Sequence, residues 1–273
     1  MFWIDPLFYD KGDRKMIKDL LKREEYKIVD KKLDEYYSEF EELYSYGFVG
    51  AYMFDDLKKE LGRIPSQYEF VKEGLTRAEE FFLKSPRQWL SKSRKNYYFN
   101  WDSKLINSVE NRLSRSYFSF VLEEQVAEFV KARYGAKTTS NSLIDVVFGS
   151  DVTFVLDDKI YYIHITKNNR WSSELLTSKG KKSVYVVDEK GQKRYWKRDW
   201  KNGHHVLTYN NRSESRMTEV NGNLLFEEAY LENWFDKMFE KEKFDSFNGK
   251  SELLSFYEYL NRFNLVEGEV KSA

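Results

Sequence analysis

The 273-residue chain is 41% hydrophobic and 18% aromatic, enough to bury a full core in one large domain or two smaller ones. Its 45 basic and 45 acidic residues cancel, which excludes a global basic field for nucleic acid and throws the weight onto local distribution. The absence of cysteine excludes disulfides, thiol nucleophiles and zinc-thiolate sites and fits a reducing cytoplasm, while three histidines leave little for a histidine-rich metal site.

The charge is unevenly spread. Residues 1–80 carry 14 basic and 19 acidic side chains, residues 167–217 carry 13 and 5, and residues 218–273 carry 6 and 12. One segment is therefore strongly basic. The first residues, MFWIDPLFYDKGDRK, have acidic positions and no continuous apolar run, so neither a signal peptide nor a membrane span is predicted. A cytoplasmic protein is expected, and the abundance of Lys, Glu, Phe and Tyr resembles AT-rich genomes, bacterial or phage.

In residues 13–61, apolar positions recur at helical spacing (Met16, Leu20 and Leu21, then Leu33, Tyr37, Phe40, Leu43 and Tyr44), which predicts helices. In GRIPSQYEF, Gly62 is a stop, Pro65 a turn residue, and Ser66 with Glu69 has capping-box spacing ahead of another helix. SPRQWLSKSRKNYYFNW (85–101) mixes cations with aromatics irregularly and reads as a linker. Asp102 then caps a long periodic segment that ends at Gly135, a residue suited to a left-handed stop.

From Leu143 the period changes to two. LIDVVFG, DVTFVL, KIYYIHIT, KSVYVV, KRYWKRDW and HVLTY are short, rich in Val, Ile and Tyr, and bounded by Gly, Asp and Asn, so they predict strands. NLLFEEAYLENWFDKMFEK and SELLSFYEYLNRF return to helical spacing. The prediction is an α+β (mixed α/β) fold: a helical region over residues 1–101, then a domain over 102–273 with a sheet flanked by helices and closing helices. Gly-rich phosphate loops, a serine elbow and HExxH are absent.

The stretch GSDVTFVLDDKIYYIHITK (149–167) carries the chemistry. A hairpin at VLDDKI, with either a two-residue or a four-residue loop, sets Val155 against Ile160, Thr153 against Tyr162 and Asp151 against His164. Directly opposed Cβ atoms stand about 4.5–5.5 Å apart, within reach of a carboxylate–imidazole hydrogen bond or a shared metal. Thr166 lies on the same face as His164, whereas Lys167 points to the other.

These residues resemble the PD-(D/E)xK nuclease superfamily, in which a helix carrying Glu precedes a hairpin with Asp on its first strand and Glu-x-Lys on its second. FVLEEQVAEFVKARYGAK resembles the helix, with Glu124 or Glu123 as the acid, and Asp151 takes the place of the hairpin Asp. The resemblance covers about residues 117–187. It departs at the Glu-x-Lys position, where His164-Ile165-Thr166 stands; sliding by one residue brings Lys167 into register but sets Ile165 at the acidic position.

The resemblance implies a restriction-endonuclease-like core and Mg²⁺ or Mn²⁺ held by Glu124, Asp151 and His164, with the Ile165 carbonyl as a further oxygen. His164 would ligate Mn²⁺ or act as a base, and Lys167 would hold phosphate. Asp145 is an alternative metal Asp. The basic segment, with Lys179, Lys181, Lys182, Arg194, Lys197 and Arg198 among Trp171, Tyr195, Trp196 and Trp200, has the cations for phosphate and the rings for unpaired bases. Arg112 and Arg115, one turn apart on the Glu124 helix, either contact a phosphate or pair with acidic helices. His204 and His205 follow Gly203 in an expected turn, from which one joins the metal in this reading.

Two functions follow. One is metal-dependent hydrolysis of DNA phosphodiester bonds. The other is a catalytically inactive nuclease-fold protein that binds nucleic acid or inhibits a protein partner. The acidic helical regions suit a scaffold, a homodimer contact or a partner surface.

Overall fold

The computed structural model describes residues 17–28, 50–90, 94–139, 149–157, 159–181, 183–187, 193–197, 204–209, 216–242 and 270–272. The expected helical positions from Leu33 to Tyr44, Asp145 with most of its strand, and the helix SELLSFYEYLNRF lie outside the described residues. The chain divides into two compact units: Lys18–Val121 with Val220–Asn223, and Met1–Ile17 with Leu122–Glu219 and Leu224–Ala273.

The first unit is mainly helical. After α1 (Ile17–Leu20), which begins at its edge, come a single 3₁₀ turn (Glu24–Tyr26), α2 (Gly50–Leu61) and α3 (Gln67–Lys84). Gly62 stops α2 with φ +66°, a conformation that costs glycine nothing. Ser66 and Glu69 make the expected capping box at the start of α3. Arg63 holds the same Glu69 through two bonds of 2.9 and 2.7 Å, and it donates to the Tyr26 hydroxyl at 3.0 Å. The Arg63 guanidinium, with help from Ser66, keeps the Glu69 carboxyl down at about 2. Phe54 and Phe70 pack edge-on or tilted against each other, and each packs against Tyr117 and Phe120, at 5.3–6.3 Å. The buried Tyr117 hydroxyl donates to the Pro65 carbonyl, so this aromatic core leaves no cost for its polar tip.

The segment expected as a linker is an ordered hairpin, β1 (Arg87–Leu90) and β2 (Lys95–Tyr98), antiparallel with Arg87 opposite Tyr98 and Gln88 opposite Tyr97. The reason is packing. Phe99 is 6% exposed and meets Phe82, on which the ring of Trp101 also stacks, so aromatic residues spaced by two anchor the strand. Asp102 then accepts from the Leu105 N–H at 2.9 Å and starts α4 (Ser103–Tyr134), a single 32-residue helix. Gly135 ends it at φ +69°.

The second unit is built on a mixed four-stranded sheet in the order β3-β4-β5-β8, where β3 is Lys137–Thr139, β4 Val152–Leu156, β5 Lys159–Lys167 and β8 His204–Tyr209. The β3-β4-β5 run is antiparallel and β8 is parallel to β5. Between β5 and β8 the chain forms α5 (Arg170–Lys181), β6 (Ser183–Val187) and β7 (Lys193–Lys197); β6 and β7 join β11 (Val270–Ser272) in a separate sheet. A connection containing a helix is what two parallel neighbours require. One sheet face, with Val152, Phe154, Tyr161, Ile163 and Leu207, is covered by Leu122, Val126, Phe129 and Val130 of α4 and by Leu231, Phe235 and Met238 of α6 (Glu228–Glu242). The architecture is thus mixed α+β, with a mixed sheet flanked by helices.

NLLF, expected as the start of the last helix, is instead β10 (Asn223–Phe226), paired with β9 (Met217–Val220) around Asn221 and Gly222 at φ +51° and +81°. Two consecutive positive φ angles are the signature of a tight hairpin turn. Gln125 on α4 clamps this strand from both sides, donating to the Phe226 carbonyl and accepting from its N–H, each at 2.8 Å.

Candidate functional site

The hairpin has the expected register and the shorter loop. Leu156 pairs with Lys159, Val155 with Ile160, Thr153 with Tyr162 and Val152 with Ile163, and Asp157 adopts φ +49° at the turn. Phe154 and Tyr161, opposed in this register, stack at 5.0 Å with 16° between planes, a cross-strand pair that a one-residue slip would destroy. Extending the same pairing by one step sets Asp151 opposite His164.

Alternation then sorts β5 onto two faces. Tyr161, Ile163 and Ile165 join the core cluster, while Tyr162 and His164, both 0% exposed, lie on the other face. Lys167 has the parity of Ile165 and is exposed at the strand end, pointing away from the His164 face as its position predicts.

At the end of the hairpin the polar groups are engaged. Asp151 donates its backbone N–H to the Ile163 carbonyl at 2.9 Å, and its Oδ2 accepts from the Ile165 N–H at 2.6 Å. β4 begins at Val152, so the carboxylate takes over as acceptor where the ladder has run out. A charge-assisted bond of that length is among the stronger hydrogen bonds a protein makes.

His164 is engaged at both nitrogens. Its Nδ1 lies 3.1 Å from the Gly149 carbonyl and its Nε2 lies 2.9 Å from Nδ1 of His204. A carbonyl only accepts, so Nδ1 carries the ring proton, and in the neutral ring Nε2 accepts from the His204 N–H. The chain of donors runs from His204 through His164 to Gly149. His204 is held flat by its neighbours, stacked 4.5 Å from the Tyr162 ring and 5.2 Å from the His164 ring. Nearby, Ser150 bonds Thr153 at 2.6 Å and donates to the Val152 carbonyl.

His204 and His205 thus belong to strand β8, not to a turn. Parallel pairing with β5, which begins with Tyr162 opposite His204, extends the strand to its first histidine. No local signal reports such a pairing, so the sequence alone sets His204, the partner of His164, in a turn.

The expected metal set is a poor fit for Mg²⁺. Asp151 offers an oxygen already bonded to a backbone N–H, and His164 presents no lone pair while His204 stands beside it. Nitrogen is in any case an unfavourable ligand for a hard cation. Glu124 and Glu123 lie half-buried on α4. Among the described residues no three His, Asp or Glu side chains gather as a metal-binding group.

The expected nucleic-acid contacts fall on several elements. Arg112 and Arg115 sit half-buried in the part of α4 that belongs to the helical unit. Lys179 and Lys181 fall on α5, and Arg194 and Lys197 on β7. Lys182 and Arg198 lie outside the described residues. The helix α5 was not expected from the sequence; its Ser, Lys and Gly residues obscure the period, and a Ser173 N–H bond to the Asn169 carbonyl marks its first turn. Among the described residues no helix is long and apolar enough to cross a membrane.

Comparison with known proteins adds no relative: no family model, no curated protein and no solved structure matches the chain.

Proposed function

We propose that this chain is a nuclease-like α+β protein that binds DNA without cleaving it, and that the Asp151–His164 end of the hairpin acts as a hydrogen-bonded clamp. The observation that carries the reading is the engagement of both His164 nitrogens, by Gly149 and His204. A general base or metal ligand needs a lone pair turned toward its substrate or ion, and this buried ring turns its own toward another imidazole.

Two further observations support it. A helix precedes the hairpin, and Asp151 stands at the head of the first hairpin strand, as in the resemblance to PD-(D/E)xK nucleases. The segment that follows, residues 167–217, has 13 basic against 5 acidic side chains, a local field suited to phosphates. The acidic first 80 residues suit a protein partner or a second copy of the chain, and a cytoplasmic location agrees with the lack of cysteine.

Metal-dependent cleavage is the second reading, favoured by the placing of Asp151 opposite His164 on neighbouring strands and by the His204 ring beside His164. It requires His204 to swing off His164 so that Mn²⁺, which accepts imidazole, can enter. Binding to a labelled duplex, measured against salt, tests the leading proposal. Affinity should fall steeply with ionic strength, and joint charge reversal of Lys179, Lys181, Arg194 and Lys197 should weaken it and flatten the slope. Absence of duplex binding at low salt would refute it.

A further inference from the structure

The hairpin of the helical unit presents chemistry that the reading above does not use. Its register makes Arg87 and Tyr98 direct neighbours on one face, with Asn96 two residues along on the same side. All three are solvent-exposed, Tyr98 to 71%. Arg94 and Lys95, at the turn end, are exposed as well. Among the described residues, Arg87, Arg94 and Lys95 pair with no carboxylate. Arg94 is also held at φ +52°, a conformation uncommon for a side chain of its kind.

The opposite side of β2 anchors the strand. Tyr97 stacks on Phe99 at 5.9 Å, and Phe99 is buried against Phe82. Tyr98 thus stands on an anchored strand while its own ring faces water. Beside it opens a pocket of about 160 Å³ lined by Tyr97, Tyr98, Asn100 and Lys104. The Asp102 carboxylate on the same wall is engaged by the Leu105 N–H, and the exposed Asn100 amide offers both donors and an acceptor.

We infer that this hairpin binds single-stranded nucleic acid. An exposed ring on an anchored strand gives an unpaired base a face to stack on, the flanking cations follow the phosphates, and the amide-lined pocket receives a base edge. The alternatives fit less well. An acidic peptide would use the cations and leave the ring idle, and a lipid surface would bury a ring but has no use for a pocket walled by Asn and Asp. A duplex keeps its bases stacked inside, so the site discriminates against it. The inference is carried by residues other than those of the basic segment, and the two stand or fall separately.

The test is fluorescence anisotropy of the full chain with labelled oligothymidylate, oligouridylate and a duplex of equal length. Single strands should bind through the hairpin. Tyr98→Ala should weaken them about tenfold, Tyr98→Phe should keep most of the affinity, and Arg87→Ala with Lys95→Ala should lower the salt slope. Charge reversal in the basic segment should alter duplex binding and leave the single-strand effect of Tyr98→Ala in place. Preference for oligouridylate over oligothymidylate would name RNA as the ligand, and the reverse would name DNA. Single-strand affinity unchanged by Tyr98→Ala, no single-strand binding, or equal competition by polyglutamate would overturn the inference.

Discussion

Asp151→Ala separates a clamp from a catalytic carboxylate, because the two roles predict opposite effects on stability. In the clamp, the substitution deletes the acceptor of the Ile165 N–H bond at 2.6 Å. Hydrogen bonds to charged groups contribute about 1.5–3 kcal/mol. Asp151 is only half-buried, so water partly replaces the lost acceptor, and the lower part of that range, about 1.5–2 kcal/mol, is expected. Asp151→Asn keeps an oxygen at the same place and should recover about half.

Urea denaturation gives the global value, with the transition of the sheet unit followed separately because two units need not unfold together. Amide exchange at Ile165 gives the local one, and loss of about 1.4 kcal/mol there corresponds to about tenfold faster exchange. A carboxylate kept for function at the expense of stability behaves in the opposite way, and its removal is neutral or stabilising. An Asp151→Ala variant as stable as the parent, with Ile165 exchange unchanged, would refute the clamp.

The Arg63 guanidinium holds the Glu69 carboxyl well below the usual carboxylate range, at about 2. Direct conversion of that shift gives ~3 kcal/mol, which solvent screening of a pair 29% exposed on each side reduces to about 1–2 kcal/mol. A depressed carboxylate stabilises the fold above its unfolded value, so this contribution should be lost as pH falls from about 4.5 toward 2 and be absent in Glu69→Gln, checked by thermal melts across that window. Gly222→Ala forces a side chain into φ +81° and sets its Cβ 2.8 Å from Ile28 Cβ; a loss of about 1–3 kcal/mol is expected in the melting curve. His204→Ala removes both the donor to His164 and the ring stacked on Tyr162, so about 1–3 kcal/mol should be lost, and His204→Gln, which retains a donor, should lose less. A neutral His204→Ala would show that the histidine pair does no structural work.

What the sequence made legible was local. The loop at Asp157 determined the register of β4 and β5, and the capping box at Ser66, the Asp102 cap and the Gly135 stop delimited their helices, because each depends on residues within a few positions of one another. The overlooked β9–β10 hairpin also had a local sign in Asn221-Gly222, but the apolar run NLLF beside a helical pattern masked it. The aromatic alternation of residues 97, 99 and 101 likewise marks the β1–β2 hairpin within a stretch whose composition reads as a linker.

The candidate site was only half legible. Opposition of Asp151 and His164 follows from pairing within 14 residues, whereas the role of each depends on Gly149, Ile165 and His204, and His204 arrives from 40 residues away through a parallel strand. Residue types alone point to metal chemistry, whereas the hydrogen bonds join those same groups to one another. The same limit applies to α5, whose existence follows from the crossover between β5 and β8 more than from its own composition.

The most direct measurement is the integrity of supercoiled plasmid incubated with the full chain and Mg²⁺ or Mn²⁺, at a protein concentration that retards the same plasmid in a gel. Bound plasmid should stay supercoiled with either ion. Nicking or linearisation by the parent protein, abolished in a folded Asp151→Asn variant, would contradict it and return His164 and His204 to the role of metal ligands.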